Sequence, residues 1–75
     1  MNLKQERTLT RIIEDLADLR AELGDLATEL EASFDKRSER WQNSEAGEKS
    51  QGEIDAIREA EENCLTSSEG LEELA

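Results

Sequence analysis

Residues that do chemistry are scarce in this 75-residue chain: histidine is absent and cysteine occurs once. A nucleophile–base pair or a zinc ligand set therefore has almost no members to draw on. Four groupings are left to weigh. Asp15, Asp18, Glu22, Asp25 and Glu29 recur along one segment. Carboxylates at such spacing could hold a metal or act as an acid–base pair, but those sites usually add an imidazole and need burial to shift a pKa. They are read as the solvated outer face of a helix, opposite its leucine stripe. Cys64 follows Glu61-Glu62-Asn63, an acidic setting that disfavours a thiolate, so it reads as a small packing residue. No catalytic residue, metal or cofactor is expected, and the chain is read as a non-enzyme.

The other two groupings suit binding rather than catalysis. Lys36, Arg37 and Arg40 adjoin Trp41, and Arg37 and Trp41 stand four apart, as a cation–π pair on a helix would. Their bland reading is that Trp41 caps the core while the arginines pair with Asp35, Glu39 or Glu45. Their sharper reading is a recognition anchor, since Trp and Arg dominate interface hot spots. The last 32 residues hold ten acids, among them Glu53, Asp55, Glu59 and Glu62, against Lys49 and Arg58 as bases. Carboxylates spaced along a rigid helix could mimic phosphates and occupy a basic nucleic-acid channel; the plainer reading is solvation.

These side chains must be positioned by helices. Proline and tyrosine are absent, and so is valine, while Ala, Leu, Glu, Arg, Lys and Gln, all good helix formers, dominate. Leu9, Ile12, Leu16, Leu19, Leu23, Leu26 and Leu30 are spaced 3, 4, 3, 4, 3, 4, an a/d heptad stripe. Ile13 and Ala27 widen it, as in a bundle. The step to Phe34 is a stutter, and Trp41 follows seven residues later. The first helix is expected over about 3–43. Ser44 to Gly52 carries two glycines and no leucine, so the loop and chain reversal are placed there, at about 44–50. Ser50 and Glu53 form an S-x-x-E capping box, which starts the second helix at 51. Ile54, Ile57, Ala60, Cys64, Leu71 and Leu74 line one side of it to about 74, with fraying expected after Leu65.

The result is an all-α fold, a single domain built as a long antiparallel hairpin of two helices. Folded back from that loop, the second helix covers the first only as far as about Leu19. Leu9, Ile12, Ile13, Leu16 and Leu19 are then expected to form an oligomer interface in a dimeric or tetrameric coiled coil or bundle. A net charge of −11 argues against direct contact with nucleic acid or an anionic membrane. A lone thiol, no long apolar run and no apolar core after the basic residue near Met1 predict a cytoplasmic protein.

The segment Arg37-Ser38-Glu39-Arg40-Trp41-Gln42-Asn43-Ser44-Glu45-Ala46-Gly47 resembles the R-S-E-x-W-Q-x-S-E-x-G signature of small acidic helical proteins from bacteriophages and prophages. The resemblance implies a helical hairpin of phage origin in the host cytoplasm and brings no assigned activity. The chain departs from that group between Cys64 and Gly70, where a cleaner leucine pattern is the rule. Two functional expectations follow. The first is a small homo-oligomeric module that binds a protein partner. The second is an acidic nucleic-acid mimic that inhibits a basic host enzyme, with Arg37, Arg40, Trp41, Glu53, Asp55, Glu59 and Glu62 as candidate contact residues.

Overall fold

Asn2 opens the first helix. Its side-chain oxygen accepts from the Gln5 N–H at 2.8 Å, while Gln5 Oε1 accepts from the Asn2 N–H at 2.9 Å, so two amides otherwise left orphaned at a helix start are both bonded. In the computed structural model, which describes residues 1–74, helix α1 runs from this cap over Leu3–Asp35, about 50 Å at 1.5 Å per residue. A single turn, α2, spans Glu39–Gln42, and α3 spans Glu45–Glu72. No helix of the described residues is long and apolar enough to cross a membrane.

The chain reverses earlier than its composition suggests, between Lys36 and Ser44 rather than at 44–50. Neither proline nor glycine breaks α1. Side chains do so by offering the backbone better partners. Ser38 takes up an extended conformation and accepts from the Trp41 N–H at 3.2 Å, capping α2. Gln42 Nε2 then donates to the Phe34 carbonyl at 3.0 Å, which also accepts from the Arg37 N–H, and to the Arg37 carbonyl at 3.1 Å, tying the end of α1 to α2. Ser44 caps α3, accepting from the Gly47 N–H, and its hydroxyl donates to the Trp41 carbonyl. The first helix thus ends eight residues short of its expected limit and the last begins six residues early. Ser50 and Glu53 sit inside α3 instead of capping it. Glycine suits the first turn of α3 because Gly47 is buried against the carbonyls of Trp41 and Gln42, where a Cβ would collide with backbone.

The early start gives α3 enough length to run antiparallel along most of α1. Arg58 reaches Glu31 and Thr28, Gly24 lies beside Glu61, and Leu74 shares a surface hollow with Leu9 and Thr10. The expected overhang of Leu3 to Leu16 therefore shrinks to little more than the first two turns. Leu9 is buried at 9% exposure, and Ile13 and Leu16 are half-buried within the same chain. The helix also holds through Thr66–Gly70 and ends at Glu72, past the point where fraying was expected.

The molecule measures 58 × 15 × 13 Å, with a radius of gyration of 17.1 Å. A globular domain of this length would have a radius of about 11 Å, so this is a rod two helices thick. Its interior is correspondingly thin: among the described residues Leu9, Ala27 and Ile54 are the buried hydrophobic ones, and no large side chain is wholly enclosed.

Candidate interaction surfaces

The corner gathers Arg37, Trp41 and Phe34. The indole meets the Phe34 ring edge-on, with centroids 5.9 Å apart and planes at 64°. The Arg37 guanidinium lies 4.7 Å above the indole, within cation–π range. Trp41 is half-buried, and Arg40 is exposed beside it. Among the described residues neither Arg37 nor Arg40 forms an ion pair, so the expected pairing with Asp35, Glu39 or Glu45 does not occur. Six of the eight defined positions of the sequence signature thus have a structural job. Arg37 stacks, Ser38 caps, Trp41 packs, Gln42 closes the end of α1, Ser44 caps again, and Gly47 makes room. Arg40 has no such internal role.

The heptad stripe divides into two sets. Leu9, Leu16, Leu23 and Leu30 turn towards α3 and are buried or half-buried. Ile12, Leu19 and Leu26, also spaced by sevens, are 38%, 49% and 44% exposed. With about 100° between successive residues, this second set lies on the flank of α1 away from Glu31, the residue Arg58 grips. On the same flank of α3 come half-buried Ile57, Ala60, Cys64 and Leu71 and exposed Leu74. The two helices together thus present one apolar face. Of the five residues expected at an oligomer interface, Ile12 and Leu19 are open on it, Ile13 and Leu16 are mostly taken up inside the hairpin, and Leu9 is internal.

Carboxylates edge this face. Asp15, Glu22 and Glu29 each follow an exposed stripe residue by three positions, so they flank the stripe instead of standing opposite it as expected. Asp18 and Asp25 lie further round, and all five are exposed. Among the described residues no group of three or more Asp, Glu or Cys converges into a possible metal site. The other flank is acidic on α3: Asp55, Glu59, Glu62 and Glu69 are exposed there. Glu53 falls on the apolar side, so the four carboxylates grouped by sequence do not form one patch.

Arg58 was not singled out by sequence, yet among the described residues it is the best-bonded charge. Its Nε donates to Glu31 Oε1 at 3.0 Å and its Nη2 to Glu31 Oε2 at 3.1 Å, a bidentate pair. Nη1 donates to Glu61 Oε1 at 3.0 Å, and Nη2 also reaches Thr28 Oγ1 at 3.3 Å. The available signal was its isolation, a lone base within a run of acids. The Arg58 hydrogen bonds are the main reason the Glu31 carboxyl is held below its ordinary range; desolvation opposes this and the charge of Arg58 adds to it. A carboxyl lowered on folding stabilises the fold above its unfolded pKa, and that contribution disappears as pH falls through the folded value. Wild type should therefore melt above Glu31→Gln at pH 7. The gap should close below the ordinary value of 4.5, as thermal unfolding at pH 7 and pH 3 would measure. An unchanged gap would mean that the ionised pair is not what Glu31 contributes.

No protein-family model, curated protein or solved structure matches this chain.

Proposed function

We propose that this chain is a non-enzymatic interaction module that works as a homo-oligomer of helical hairpins and binds a protein partner, in the cytoplasm and of phage or prophage origin. The observation that carries the reading is the exposed heptad row of Ile12, Leu19 and Leu26, on a chain whose own core is thin. Short chains with little enclosed apolar surface gain most from association, and an aligned exposed stripe is what helix–helix association uses. The corner supports the partner-binding half of the reading: Arg40 is exposed beside Trp41 and is not spent on internal contacts. A symmetric assembly would display that corner more than once and so add avidity.

Sedimentation equilibrium at micromolar concentration should find a dimer or tetramer, and a persistent 8.5 kDa monomer would refute the proposal. Leu19→Asp should weaken association by about a hundredfold or more, because an unpaired carboxylate costs several kcal/mol to bury. It should leave the hairpin folded, since Leu19 is 49% exposed. Leu16→Asp would not separate the two effects, as Leu16 packs inside the chain.

The acidic flank of α3 supports a second reading, a nucleic-acid mimic that inhibits a basic enzyme. Binding of that kind falls steeply with salt. Charge reversal at Asp55, Glu59 and Glu62 should then weaken it more than reversal at Glu53, which lies on the other side of the helix. Equal effects at all four positions would count against a mimic built on one face.

A further inference from the structure

We draw no further inference here: the strongest candidate, the apolar surface patch that Ile12, Leu19 and Leu26 form along α1, belongs to the association reading already given, and nothing in the structure shows what covers it.

Discussion

Ile54→Ala should destabilise the hairpin by about 2–4 kcal/mol, the range for truncating a large aliphatic side chain in a core. Ile54 is 3% exposed, the most enclosed large side chain in the molecule. A chain of this length has roughly 4–11 kcal/mol to lose, so one methyl-rich residue carries a large share. With about 4–8 °C per kcal/mol at this size, the melting temperature should drop by roughly 8–32 °C. The loss should appear at every protein concentration, because Ile54 packs within its own chain. Ile12→Ala provides the contrast. At 38% exposure it should cost the isolated hairpin little, and its effect should grow with the fraction assembled. Thermal unfolding over a hundredfold concentration range separates the two. An Ile54→Ala loss below about 1 kcal/mol would contradict the packing of α3 on α1.

The second large effect is a change of sign between two glycines in one helix. Gly47→Ala should destabilise, and Gly52→Ala should stabilise. In a helix interior alanine is favoured over glycine by about 0.5–1 kcal/mol. At Gly52 nothing lies within 4 Å of the added methyl, so this propensity gain is all that remains. At Gly47 the methyl runs into the backbone carbonyls of Trp41 and Gln42, which cannot swing aside as a side-chain tip would. Overpacking of this kind costs about 1–3 kcal/mol, and with backbone as the obstacle the upper end applies. The net loss should be about 2 kcal/mol. Circular dichroism melts of the two variants give the comparison. Stabilisation by Gly47→Ala would mean that the corner is more open than described.

The consequence for function is a division of labour. The corner residues spell out a memorable sequence, but most of them serve to turn the chain, and Trp41 is as much a core residue as a binding anchor. Trp41→Ala would therefore disturb folding and any partner contact together. Arg40, exposed and without an internal bond, is the cleaner probe of a partner at that end.

Much of the architecture was legible in the sequence because it depends on short-range regularity. The 3–4 leucine spacing and the absence of proline imply one long helix with a wide apolar stripe. The small stripe from Ile54 to Leu71 implies a second helix thick enough to cover it only narrowly. The start of α1 rests on local chemistry, the Asn2–Gln5 capping box, which the leucine spacing alone does not reveal. The position of the turn was not legible. Ser38 and Ser44 can cap a helix or lie inside one with similar local energy, and Gly47 can serve a loop or a tight approach. Tertiary packing decided among them: Phe34 against Trp41, and the Gln42 amide bonding the carbonyls five and eight residues before it, exist only once the chain has turned back. That early turn moved α3 six residues along α1, which buried Leu9, half-buried Ile13 and Leu16, and left Ile12, Leu19 and Leu26 open. Which leucines are apolar-face residues was written in their spacing; which of them remain free for a partner depends on the register between two helices, and register is set by contacts between residues as far apart as Glu31 and Arg58.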